Sequence, residues 1–221
     1  MVSPLRVYFA GALFTHKDLI GNALLASYIA QCSLGRYVCV LPQDLEQATQ
    51  QAVDIRNQDL RQVMRCDLAL FNFDGPELDS GTVVEFLFAK FLDIPSVILR
   101  SDFRAAGDQE PGCNAWNLMC SFYPRTQIVQ CHAMAWYHQA QQEGGTLDDI
   151  TARYYQRIAT TIIESLDLVR HESPLPKGTA ADIERLYQWA LRFPGGGFAA
   201  HCAEPSFIEA LVAEKLQRGL I

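Results

Sequence analysis

The chain has 221 residues, 49% of them hydrophobic, enough for one sizeable core, so a single domain is expected. A formal charge of -7 and a pI near 5.2 exclude a nucleic-acid polymer or an anionic membrane as partner, since both call for a basic face. A small uncharged or weakly charged substrate fits better.

In chain order, LRVYFAGALF (5–14) reads as a first strand with its exit turn. Thr15, with Asp18 three residues on, signals a helix to about Gln31 carrying Leu19, Leu24, Leu25 and Ile29. RYVCVL (36–41) is a second strand ended by Pro42, and a helix follows over roughly 51–65. DLALFNF (67–73) is a third strand, GPELDSG a turn, TVVEFLFAKFLDI a helix and SVILR (96–100) a fourth strand. Residues 101–125 read as a long functional loop with a short helix near 114–122, TQIVQC (126–131) as a fifth strand and 147–169 as a helix. Two further helices, near 179–191 and 205–219, flank a turn at Pro194–Gly197. Strands alternating with helices predict a flavodoxin-like α/β fold, a doubly wound parallel sheet of about five strands, over residues 1–170, with a helical C-terminal extension over 171–221.

The start MVSPLRVYFAGALF lacks a charged, apolar and cleavable leader, and no stretch reaches the roughly 18 to 20 apolar residues of a membrane helix. Seven cysteines without a CxxC pair fit a reduced chain, so a cytoplasmic protein is expected. Cys113, Cys120, Cys131 and His132 match no zinc-site spacing, and no metal is expected.

Ligands of open parallel sheets sit beyond the carboxyl ends of the strands, which places Tyr8 to Gly11, Gln43, Asp74 to Asp79 and Arg100 to Arg104 around one crevice. No GxGxxG follows the first strand and no GxxxxGK[ST] occurs, so no nucleotide cofactor is expected. The crevice is acidic instead, with Asp74, Glu77 and Asp79 before a helix that carries Glu85. The pattern leaves Glu85 two readings. Thr82 to Glu85 spells a capping box, in which Glu85 serves only the helix end. Alternatively Glu85, without a cation at i±3 or i±4 and followed by FLFA, is a carboxylate kept for chemistry. Asp79 is likewise a cap or a functional acid, and Asp59 either pairs with Arg56 or serves the crevice.

Four separated segments, YFAG (8–11), NQD (57–59), DSGTVVE (79–85) and NLM (117–119), together resemble the nucleoside 2-deoxyribosyltransferase family. Asp59 and Asp79 stand 20 residues apart and Glu85 follows Asp79 by 6, as in the family pattern. The resemblance covers residues 5 to about 125. It implies a covalent nucleophile at Glu85, a hydroxyl orienting it at Tyr8, and carboxyl groups that hold and protonate the base at Asp59 and Asp79. Gln43 resembles a base-contacting glutamine more loosely, and Gly11 and Asp74, which the strand-end rule puts in the crevice, are expected to contact the substrate with it. Asn117 resembles a residue that reaches into a neighbouring subunit's site, so a homo-oligomer with shared sites is implied.

The activity so implied, in nucleotide salvage, is exchange of the base of a 2'-deoxynucleoside with a free nucleobase, or hydrolysis when water captures the intermediate. A 5'-monophosphate N-hydrolase is the near alternative, with Arg100 and Arg104 of RSDFR as phosphate donors or as a structural turn. A non-catalytic nucleoside sensor of the same fold is the second.

Overall fold

The computed structural model describes residues 3–45, 51–104, 112, 114–175 and 178–221. Five strands form one sheet: β1 (Leu5–Ala10), β2 (Tyr37–Val40), β3 (Leu68–Asn72), β4 (Ser96–Arg100) and β5 (Thr126–Gln130). Their order is β2-β1-β3-β4-β5 and each adjacent pair is parallel, the flavodoxin-like arrangement expected. The winding reverses between β1 and β3, and a crevice opens there at the carboxyl ends of the strands.

Alternation along the strands divides the side chains between two faces. Tyr8, Ala10, Ala69, Phe71 and Ile98 turn toward α2 (Ala52–Arg65) and α3 (Ser80–Phe91). Val7, Phe9, Leu68, Leu70, Val97 and Leu99 turn toward α1 (His16–Cys32) and α5 (Leu147–Val169). Because both faces are covered, an inner strand such as β3 is a continuous apolar run, LALF, rather than an alternating one. α1 opens on the reciprocal Thr15–Asp18 box that its sequence predicts.

The structure departs from the sequence reading in the loop after β4 and after β5. The helix expected near 114–122 is a single 3-10 turn, Leu118–Cys120, capped by the Asn117 side chain. α4 (Ala133–Gln142) has no start signal in the sequence: its N-cap is His132, whose ring nitrogen accepts from the Ala135 N–H at 3.2 Å. Histidine is not among the usual cap residues.

The C-terminal segment folds as α6 (Ala180–Arg192), α7 (Phe198–His201) and α8 (Phe207–Gln217) on the α2/α3 face. Ile183, Tyr187, Phe198, Ile208 and Val212 are buried in one cluster with Met64 and Phe88. Polar bonds tie its end to the amino ends of the strands. Lys215 Nζ donates to the Cys66 carbonyl, Arg218 reaches Asp67 Oδ2 at 2.8 Å, and Arg125 donates to the Leu220 carbonyl at 2.7 Å. Ile221 therefore lies at the end of the sheet opposite the crevice.

Candidate active site

Glu85 lies in the second turn of α3, and the N-cap of that helix is Asp79. Asp79 Oδ2 accepts from the Thr82 N–H at 2.7 Å and from its hydroxyl at 2.9 Å. Thr82 thus stands inside the helix, which overturns the capping-box reading of Thr82 and Glu85. Two residues of cap type compete within four positions. The carboxylate prevails because it accepts both bonds and carries negative charge at the positive helix end.

Glu85 turns toward the sheet. The Tyr8 hydroxyl donates to Glu85 Oε1 at 2.5 Å, a length typical of a bond to an ionised acceptor. Tyr8 is fully buried. Burial above all, then the Glu85 and Asp59 carboxylates, holds its phenol well above the ordinary value of 10.0. Tyr8 is therefore a protonated donor throughout the neutral range. The charge of Asp59, carried on α2, acts on the Tyr8 phenol in the same direction as that of Glu85 on α3. Arg56, the partner expected for Asp59, directs Nη2 to Asn57 Oδ1 at 2.9 Å and to the Gly195 carbonyl at 3.0 Å.

A cleft of about 300 Å³ at the β1/β3 switch point is lined by Ala12, Asp18, Asn72, Asp74, Glu77 and Asp79, among others. Asp74 is committed to the loop after β4: Oδ1 accepts from the Ser101 and Asp102 N–H groups at 2.6 and 2.8 Å, and Oδ2 from the Ser101 hydroxyl at 2.7 Å. Gly11 approaches β3 so closely that a Cβ there would stand 3.0 Å from Asn72 Cβ. Asp18 and Asn72 are cleft residues that sequence reasoning missed. Asn72 ends β3 and was open to the strand-end rule, whereas Asp18 carried only its capping signal.

Gln43 and Asn117 each bond to a backbone group. Gln43 Nε2 donates to the Leu19 carbonyl at 3.0 Å, which ties it to α1. Asn117 is exposed, accepts from the Met119 N–H at 2.9 Å, and lines a second cavity of about 760 Å³ with Val83, Val84, Trp116 and Met119. The arginines of RSDFR serve loops: Arg100 ties the loop after β3 to the loop after β4, and Arg104 stays within the latter. Buried Arg100 donates to the carbonyls of Phe73, Gly75 and Arg104, the last two at 2.7 and 2.9 Å. Arg104 pairs with Asp102 at 2.6 Å and holds that carboxyl well below the usual range. Among the described residues no group of three or more His, Cys, Asp or Glu could hold a metal ion, and Cys113 lies outside those residues. No helix among them is long and apolar enough to cross a membrane.

Sheet order defines a flavodoxin-like α/β protein, with carboxyl groups and a buried tyrosine toward the carboxyl ends of its strands. More narrowly, the chain belongs to the nucleoside 2-deoxyribosyltransferase family, whose model matches residues 7–150. Three solved structures are similar to it. A conserved protein from Enterococcus faecalis V583 shares 21% identity over 75% of this chain and 98% of its own, with a TM-score of 0.46. A 2-desoxiribosyltransferase from Leishmania mexicana shares 23% over 56% and 90%, with a TM-score of 0.45. A 2-deoxyribosyltransferase from Bacillus psychrosaccharolyticus shares 12% over 66% and 95%, with a TM-score of 0.44. No curated protein aligns significantly with the chain.

Replacing Tyr8 by Phe removes one hydrogen bond to a charged acceptor, about 1.5–3 kcal/mol, and leaves the ring's packing in place. The expected result is a kcat lower by roughly ten- to a hundredfold with KM for the donor nucleoside nearly unchanged. Steady-state kinetics showing wild-type kcat would reduce Tyr8 to a core residue.

Proposed function

We propose that this protein transfers the 2-deoxyribosyl group between nucleobases through a covalent ester on Glu85. The observation that carries the proposal is the 2.5 Å bond from the buried Tyr8 hydroxyl to Glu85 Oε1, which holds one carboxylate oxygen and orients the other for attack. As the N-glycosidic bond breaks, positive charge develops on the sugar ring, and absence of a 2'-hydroxyl makes that charge easier to bear. A carboxylate next to the anomeric carbon captures it, as in retaining glycosidases. The departing base takes a proton from the carboxyl group that we assign to this role, Asp59, with Asp79 at the amino end of the same helix as Glu85 helping to hold the base. A second base then attacks the anomeric carbon, the C–O bond to Glu85 breaks to regenerate the carboxylate, and the base's proton passes to Asp59 as the new nucleoside leaves. Asp74, Gly11 and Gln43 are assigned to shaping the crevice around the substrate.

The 5'-monophosphate reading is less favoured, because the guanidinium groups of Arg100 and Arg104 are engaged with groups of the loops after β3 and β4. We assign Asn117 to the site of a neighbouring copy, since it stands exposed beside Met119, which is 75% exposed.

One assay tests both statements. The protein is incubated with a deoxynucleoside, with and without a second free base, and all products are separated by chromatography over a dilution series. A new nucleoside is expected only with the second base, from deoxyribonucleosides far faster than from ribonucleosides, and activity per chain is expected to fall on dilution. Free deoxyribose as the sole product would make the protein a hydrolase. Equal rates with ribonucleosides would overturn the assignment, and constant activity of a monomer would overturn the shared site.

A further inference from the structure

α2 carries Asp59, and the C-terminal segment, which lies beyond the family match, bonds to α2 along its length. At the carboxyl end of the sheet, Asn57 Nδ2 donates to the Gly196 carbonyl at 2.9 Å and Arg56 to the Gly195 carbonyl at 3.0 Å. Further along, Arg61 pairs with Glu204 at 2.5 Å and lies over the Phe207 ring. At the far end Lys215 Nζ takes the Cys66 carbonyl and Arg218 takes Asp67. The same segment grips α3. Phe198 is fully buried with its ring edge-on to Phe88, three residues after Glu85, and the Tyr187 hydroxyl donates to the Leu92 carbonyl at 3.3 Å.

The contact at the crevice end is made by a backbone that only glycine adopts readily. Gly195, Gly196 and Gly197 have φ of 62°, 55° and 78°, a run of three left-handed residues. A Cβ on Gly196 would stand 3.0 Å from Arg56 Nη2 and 3.3 Å from Val53 Cγ2, so the turn lies flush against the first turns of α2. Asn57 itself is buried, and its amide has a fixed acceptor on the turn.

We infer that residues 194–198 are a positioning element for the reaction: the glycine turn fixes the first turns of α2, Phe198 fixes α3, and together they set Asp59 against Glu85. This rests on the proposed role of Glu85. The effect passes through the two helices, to which the turn and Phe198 are bound. Displacing a reacting group by about 1 Å costs on the order of a hundredfold in rate, which makes such a clamp kinetically visible.

The test compares Asn57→Ala, which loses the bond to Gly196, with Arg218→Met, which loosens the far end of the segment. A 2-fluoro-2-deoxy nucleoside titrates the sites that form an adduct, and single-turnover exchange is measured per titrated site, so any unfolded fraction drops out. Asn57→Ala is expected to lose roughly ten- to a hundredfold in rate per site. Arg218→Met is expected to lower Tm while keeping the wild-type rate per site. Should Asn57→Ala fail to fold, Gly196→Ala, which pushes the turn off α2, reads the same contact. A wild-type rate per site in the folded variant, or an equal loss in Arg218→Met, overturns the inference while leaving the proposed reaction intact. Wild-type protein that neither turns over nor forms an adduct overturns the reaction, and the inference with it.

Discussion

Glu85→Gln is expected to fold as the wild type does and to lose more than about 10⁴-fold in turnover, beyond the 10² to 10⁴-fold typical of deleting a general acid or base. The fold is expected to survive because Glu85 makes no helix cap: Asp79 holds that place, and the amide oxygen of Gln still accepts from the Tyr8 hydroxyl. Turnover is expected to fail because an amide does not attack the anomeric carbon and cannot form the ester. Far-ultraviolet circular dichroism and thermal melting establish the fold, and product chromatography establishes the rate. A folded variant with a loss under about a hundredfold would return Glu85 to an electrostatic or binding role.

Arg125→Met is expected to cost about 3–5 kcal/mol of stability, the range for breaking a buried pair by removing one partner. Arg125 and Asp93 are nearly fully buried, with Nη1 at 2.6 Å from Asp93 Oδ2 and 2.8 Å from its carbonyl. Asp93 Oδ2 also accepts from the Leu175 N–H at 2.8 Å, and Arg125 Nη2 donates to the Leu220 carbonyl. Removing the guanidinium would strand a carboxylate and two carbonyls. Asp93 and Arg125 both hold φ above 50° or at it, at 56° and 50°, so the pair also secures two backbone turns that a non-glycine residue adopts at a cost. Denaturant unfolding reads the change. The double variant Asp93→Asn with Arg125→Met is expected to regain part of the loss, since no buried charge is left alone. A loss below about 1 kcal/mol would mean that the pair behaves as a solvated surface bridge. The pair stands at the amino ends of β4 and β5, so the rate per active site is expected to hold.

Much of the fold was legible because its signals are local. The Thr15–Asp18 box, the apolar runs of the inner strands and the proline and glycine breaks mark elements without reference to the rest of the chain. α4 was not legible, since a histidine cap carries no start signal. The helix register at Asp79 and Thr82 was ambiguous because both residue types cap helices. Only the two bonds from Thr82 to Asp79 decide between them.

The site divides along the same line. Tyr8, Asp59 and Glu85 stood out through the family resemblance, and the hydroxyl of Tyr8 meets the carboxylate of Glu85 across 77 residues. What Gln43 and Asp74 bond to depends on loops distant in sequence, the Leu19 carbonyl and the Ser101–Asp102 backbone, and residue type alone does not disclose such partners. The same holds for the C-terminal segment. Its apolar content was visible, but the glycine turn's bond to Asn57, 139 residues away in sequence, and the buried Lys215 at the Cys66 carbonyl belong to the folded chain only.

The central claim is a covalent deoxyribosyl ester on Glu85. The most direct measurement is mass spectrometry of wild-type protein trapped with a 2-fluoro-2-deoxy nucleoside and then digested. One fluorinated deoxyribosyl unit per active site is expected, on the peptide that contains Glu85, and none in Glu85→Gln. An adduct mapped to Asp59, Asp79 or any other carboxylate, or turnover without any adduct in protein that exchanges bases, would contradict it.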